Sequence, residues 1–182
     1  LNFTLAGQEF LFNSSVTGFQ ANNDFLISAV FEFLQTSNLW DMIAGWRGTA
    51  NTSTTSAPVL QACQSAAQIG MHNTDSADVR IKVDVTTRLG KRFATLGRAG
   101  GTNGNGGTVT VTTTTQPNYS GTGTQTWASP TTTGFQIGGR QQTATSYGDK
   151  SICEVICFAS NLSTTNRQLL ENSQRQYFNL GT

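Results

Sequence analysis

The chain has 182 residues, the size of one domain that buries roughly 70% of its unfolded surface, and one core suffices. Charged residues make up 12%, against about a quarter in a typical soluble chain, so Thr, Gly, Asn, Gln and Ser must furnish a polar but uncharged surface. A net charge of +1 with scattered Lys and Arg gives no electrostatic case for nucleic acid or an anionic membrane, and no apolar run approaches the ~20 residues that span a bilayer.

Surfaces of this kind suit proteins that work outside cells or in assembled particles. The start at Leu1 has neither an initiator Met nor a charged signal-peptide front, so the expectation is a processed product or one piece of a longer polypeptide.

In chain order, Asn2 to Leu5 and Glu9 to Phe12 are expected as short strands separated by Gly7. Phe25 to Leu34 sets Phe25, Ile27, Ala29, Phe31 and Phe33 on one face and Leu26, Ser28, Val30, Glu32 and Leu34 on the other. Both faces are largely apolar and rich in Phe and β-branched residues, which predicts a central strand of a two-sheet sandwich. Met42 to Trp46, Val59 to Cys63, Ala66 to Met71 and Val79 to Thr86 predict shorter strands. Gly48 to Ala57 is an exposed connection, and a polar turn runs from His72 to Ser76. Val79, Ile81, Val83 and Val85 alternate with Arg80, Lys82, Asp84 and Thr86, one buried face and one wet.

Arg92 to Gly97 is a weaker strand, with the basic pair Lys91 and Arg92 expected in a solvated turn. Arg98 to Gly107 is a Gly/Asn loop, because those residues tolerate positive φ. It has no Gly-Lys-Ser/Thr ending and no helix after it, so it does not cradle phosphate. Thr108 to Thr115 suits a solvent-facing or edge strand. Pro117 and Pro130 bracket a polar segment containing Tyr119 and Trp127. Phe135 to Gly139 leads into a polar loop, Arg140 to Lys150, and then the densest apolar run, Ser151 to Ala159, predicts a strand. Ser163 is the expected N-cap of a helix from Asn166 to Phe178, with Leu169, Leu170, Tyr177 and Phe178 close to one face. Short strands at regular spacing with one terminal helix argue for an all-β sandwich over residues 1–182.

The order of the last segment is Ile137-Gly-Gly139, a Gly148-Asp149 step, Ile152-Cys-Glu-Val-Ile-Cys-Phe158, Asn161-Leu-Ser163, and a Gln168-Leu-Leu-Glu-Asn172 helix closing on Tyr177-Phe-Asn-Leu180. It resembles the C-terminal end of concanavalin A-like (laminin G-like) jelly-roll domains of bacterial and phage surface proteins. The resemblance covers residues 134–182 closely and the rest by topology, with Asp24 to Phe33 similar to an early inner strand. It implies a two-sheet antiparallel jelly roll with a C-terminal helix and leaves function open, because the scaffold carries lectins, glycosidases and structural modules alike.

No Glu here has an acid two positions later, so the same-strand carboxylate pair of retaining glycosidases is missing, and Asp75 and Asp78 read as turn residues. His72 is the single histidine, and no Gly-x-Ser-x-Gly elbow exists for it to serve. Glu154 is expected to accept hydrogen bonds from backbone or an Arg. Asp24, Asp41 and Asp149 are expected at turns, with no Asp/Asn cluster for calcium, so no metal or cofactor is expected. Cys153 and Cys157, four residues apart on one strand, stand about 13 Å apart, beyond the ~7 Å a disulfide allows. Their expected role, with Cys63, is as small buried residues, the alternative being a bridge from Cys63 to one of them.

Sugar recognition needs an aromatic platform beside amides and hydroxyls, which nominates Trp127, Tyr119 and Tyr147 as ligand-binding residues. Trp40 and Trp46 look like core. The expectation is a non-enzymatic structural or surface-displayed module, a virion component such as a capsid decoration or tail-fibre domain, whose partners are assembly subunits and cell-surface glycan. The alternative is a carbohydrate-binding lectin or adhesin domain of a secreted or cell-surface protein.

Overall fold

The computed structural model describes residues 1–3, 11–13, 23–35, 42–48, 59–62, 68–72, 80–84, 89–100, 108–113, 119–124, 132–139 and 149–180. Among the described residues twelve strands precede one helix: β1 (Asn2–Phe3), β2 (Leu11–Asn13), β3 (Phe25–Phe33), β4 (Met42–Gly48), β5 (Val59–Ala62), β6 (Gln68–His72), β7 (Arg80–Asp84), β8 (Gly90–Ala99), β9 (Thr108–Thr113), β10 (Tyr119–Thr124), β11 (Thr132–Ile137), β12 (Lys150–Phe158) and α1 (Thr164–Phe178). They form two six-stranded antiparallel sheets, ordered β1-β12-β3-β8-β9-β10 and β2-β11-β4-β5-β6-β7. Among the described residues no helix is long and apolar enough to cross a membrane.

The period-two pattern of β3 decides how the sheets meet. Phe25, Ile27, Ala29, Phe31 and Phe33 face the second sheet and pack with Ala94, Leu96 and Ile152 of their own sheet against Ile43, Ala44, Trp46, Leu60, Ile69 and Phe135. Trp46 joins the layers, with ring centroids 4.7 Å from Phe25 and 5.5 Å from Phe135. Aromatic side chains dominate because each fills a large volume and adds edge-to-face attraction. Where β11 ends, Gly138 adopts φ 92° and donates its N–H to the Ile43 carbonyl at 2.9 Å. A Cβ at Gly138 would overlap the buried ring of Phe3, so this turn admits glycine alone.

Several expectations are corrected. The weak strand at Arg92 to Gly97 is the ten-residue β8, buried from Arg92 to Arg98. Its small residues suit a strand covered on both faces: Asn161 packs over Gly97, its Oδ1 2.6 Å from where a Cβ would stand. Lys91 and Arg92 therefore lie in a strand rather than a solvated turn, and Arg92 is buried. β9 is an inner strand between β8 and β10, and the segment after Pro117 supplies the edge. Residue 72, expected in a turn, ends β6 and pairs with Val59 and Arg80. Phe135 to Ile137 belong to β11, between β2 and β4.

Ser163 caps the helix as expected, and the helix starts at Thr164, ahead of the expected Asn166. Ser163 Oγ accepts from the Asn166 N–H at 3.3 Å, and Asn179 closes the helix at φ 52°.

Candidate functional site beneath the C-terminal helix

β12 carries an irregularity between Ile152 and Glu154 in its register with β3. In a regular strand these two residues would share a face. The extra residue lets Ile152 enter the core while Glu154 and Ile156, opposite Val30 and Ser28, lie on the outer face of the sheet. There α1 lies across the sheet, with the Arg175 guanidinium 5.2 Å from the centre of the Phe93 ring.

A directed chain of hydrogen bonds fixes the helix. Ser28 Oγ donates to Gln174 Oε1 at 2.8 Å and stands 3.2 Å from Thr95 Oγ1. Since Ser28 has one proton, given to Gln174, the Thr95 hydroxyl donates to Ser28. Gln174 Nε2 then donates to Glu154 Oε2 at 2.8 Å. Gln174 is 3% exposed, and its amide can stand in only one orientation, since carboxylates accept and this hydroxyl donates. Glu154 is thus an acceptor as expected, but its donor is a helix glutamine rather than backbone or Arg.

Next to this network, Glu154 and Ile156 of β12 and Leu170, Ser173, Gln174, Tyr177 and Phe178 of α1 line a groove of about 190 Å³. Tyr177 is 82% exposed and packs edge-to-face on Phe178, with centroids 4.9 Å apart. The groove combines an open aromatic face with a hydroxyl, an amide and a carboxylate. The sequence placed Leu169 and Tyr177 on a helix face meant for burial. Instead Glu171 and Gln174 are buried, and Leu169 and Tyr177 are exposed. Polar groups on the sheet, Ser28, Thr95 and Glu154, attract a polar stripe of the helix, which turns part of the apolar stripe outward. The signal was present as Ser28, the one hydroxyl in the apolar strand β3.

Tyr119 is the first residue of β10, paired with Thr113 at a sheet edge. Trp127 and Tyr147 lie outside the described residues, as do Trp40, Asp41, Cys63, Asp75 and Asp78. Trp46 is core, 2% exposed. Asp24, expected as a turn residue, accepts from the Gly100 N–H at 3.2 Å, a contact that reaches across to the end of β8. Cys153 and Cys157 are free and exposed rather than buried fillers: Cys153 is the extra residue of β12, and β1 pairs with the strand only at Lys150 and Ser151. Among the described residues no three His, Cys, Asp or Glu gather as metal ligands.

No protein-family model matches the sequence, and no curated protein matches it. Solved structures do match. The CBM40 of Ruminococcus gnavus IT-sialidase bound to α2,3 sialyllactose aligns with a TM-score of 0.59 at 14% identity, over 90% of this chain and 96% of that one. The likeness is one of fold. Trypanosoma rangeli sialidase in complex with 2,3-difluorosialic acid gives 0.60 at 16% identity, over 85% of this chain and 23% of that one. The enzymatically active domain of tailspike protein 2 of bacteriophage CBA120 gives 0.59 at 11% identity, over 94% of this chain and 26% of that one. The chain thus spans nearly all of the CBM40 and about a quarter of the other two.

Proposed function

We propose that this chain is a non-enzymatic, surface-displayed module that engages glycan at the groove between β12 and α1. The observation that carries the proposal is Tyr177, an aromatic ring 82% exposed beside Glu154, Ser173 and Gln174. A pyranose has an apolar face and a hydroxylated rim, and this groove offers a ring for the first and acceptors and donors for the second. Glu154 is the one acid among the described lining residues, whereas glycoside hydrolysis uses two. The resemblance to concanavalin A-like domains and the alignment with a CBM40 bound to sialyllactose support the same class of ligand. Display outside the cell or on a particle fits the charge-poor surface.

The tailspike match favours a second, compatible reading: a virion component, built into an oligomer or a longer chain, in which subunit contacts are the main role.

A glycan array with and without calcium, run on the wild type and on Tyr177→Ala and Trp127→Ala, tests the proposal. The expected outcome is calcium-independent binding weakened about tenfold in Tyr177→Ala, the scale of one lost aromatic contact of ~1.4 kcal/mol. Loss in Trp127→Ala alone would move the site to the Tyr119, Trp127 and Tyr147 set. A blank array would remove the glycan proposal and leave assembly, to be checked by light scattering, where a strict monomer would count against it.

A further inference from the structure

The inner face of the first sheet holds an arginine that meets no anion among the described residues. Arg92 pairs with Phe31, which pairs in turn with Ile152, and both of these are core residues. Arg92 thus sits on the sandwich side of β8 and is 3% exposed. Its Nη2 donates to the Leu89 carbonyl at 2.6 Å, while Nε and Nη1 are buried with no hydrogen-bond partner. The neighbouring register row on the same face runs Gly90, Phe33, Lys150, Phe3. Lys150 there is fully buried and has contacts of its own. Two cations therefore lie in adjacent rows at one end of the sandwich.

The other end shows what a settled arginine looks like. Arg98, on the same face of β8, donates Nη1 to the Asn23 carbonyl at 2.9 Å; burial lowers its guanidinium from the usual value, and the charge of Asp24 opposes that shift. At Arg92 no such charge acts among the described residues, and burial draws the guanidinium down to about 10. A desolvated cation with bare donors is costly, and native interiors seldom leave such groups unmet.

We propose that Arg92 anchors an anion site at this end of the sandwich, which takes a carboxylate-bearing ligand group. A guanidinium is the side chain best matched to that group, and Nε and Nη1 each keep a donor for an anion oxygen. Lys150 adds positive potential from the next row. The site is separate from the groove beneath α1, which lies on the opposite face of the same sheet, and it stands or falls independently of the glycan proposal.

The test uses the full chain at constant ionic strength, titrated with sodium acetate and methyl glucuronide against sodium chloride and methyl glucoside. The wild type should show a saturable rise in Tm of about 2–8 °C with the two carboxylates alone. Arg92→Met, which replaces an uncompensated buried charge by apolar volume and is expected to fold, should show none. Tyr177→Ala should respond as the wild type does. An equal response in Arg92→Met, or none in the wild type, would overturn the site. Were the variant to fail to fold, the Arg92 Nε–H resonance of the wild type decides: a saturable shift with acetate supports the site, and an unmoved resonance refutes it.

Discussion

The two faces of β3 are both buried, yet they are held by different physics. On the inner face Phe25, Ile27, Ala29, Phe31 and Phe33 meet apolar partners, and what matters there is volume and ring geometry. On the outer face Leu26, Ser28 and Val30 are just as inaccessible, but the helix above them is positioned by a hydroxyl, an amide and a carboxylate in sequence. Apolar packing is non-directional and tolerates small shifts, whereas a buried hydrogen-bond chain permits one arrangement. The inner face therefore sets stability, and the outer face sets where Tyr177 stands over Glu154.

Breaking the inner face should have the largest effect. Phe31→Ala removes a fully buried ring that packs 5.1 Å from Phe33, and such truncations cost about 3–5 kcal/mol. Urea unfolding should show the midpoint falling with little change in slope. Gly138→Ala comes next. Its left-handed backbone costs about 1–3 kcal/mol for a residue with a side chain, and displacing the Phe3 ring costs about 1–3 kcal/mol more. A Gly138→Ala protein as stable as the wild type would mean that the turn can reshape around Phe3.

The same contrast explains how much was legible in the sequence. Alternation of Phe25 to Phe33 marked the central strand, and the motif from Ile152 to Leu180 located the closing strand, the Ser163 cap and the helix. These signals are local: a period of two, a cap residue, a turn. What escaped depends on contacts distant in sequence. β8 looked weak because Gly90, Ala94 and Gly97 carry little hydrophobic signal, yet Ala94 packs in the inner core and Gly97 leaves room for Asn161 on the outer side. Arg92 looked like a surface residue because charge normally marks solvent. The groove was invisible because Ser28 and Gln174 are 146 residues apart, and no local pattern relates them.

The outer face can be tested with Gln174→Ala. Loss of the amide leaves Ser28 and Glu154 without their partner, at a cost of about 1–3 kcal/mol. Glu154→Gln keeps an acceptor oxygen for Gln174 Nε2, so it weakens one link instead of removing two and should cost less. If the chain acts as a unit, the double variant will depart from additivity by about 0.5–3 kcal/mol. Additive costs would reduce the network to independent contacts. A sharper distinction comes from binding: Gln174→Ala should weaken glycan capture by more than its stability cost suggests at temperatures where it is folded, because the helix loses its register on the sheet. Phe31→Ala, where still folded, should leave capture intact.

The smallest effect concerns the start of the helix. Ser163→Ala deletes a cap whose hydrogen bond is long, 3.3 Å, and exposed, so the loss should sit near the low end of the range for such caps, about 0.5–1 kcal/mol. The sign can also be reversed at the same position. No acid occupies the first turn of α1, so Ser163→Asp keeps a capping oxygen and places negative charge at the positive end of the helix dipole, a gain of about 0.3–1 kcal/mol that salt should diminish. Thermal melts at low and high ionic strength separate the two contributions: a salt-sensitive gain assigns it to the dipole, and a salt-independent one assigns it to the hydrogen bond. In neither variant should the inner-face aromatic signal in near-ultraviolet circular dichroism change, because the cap bears on the helix and not on the packing of Phe25, Trp46 and Phe135.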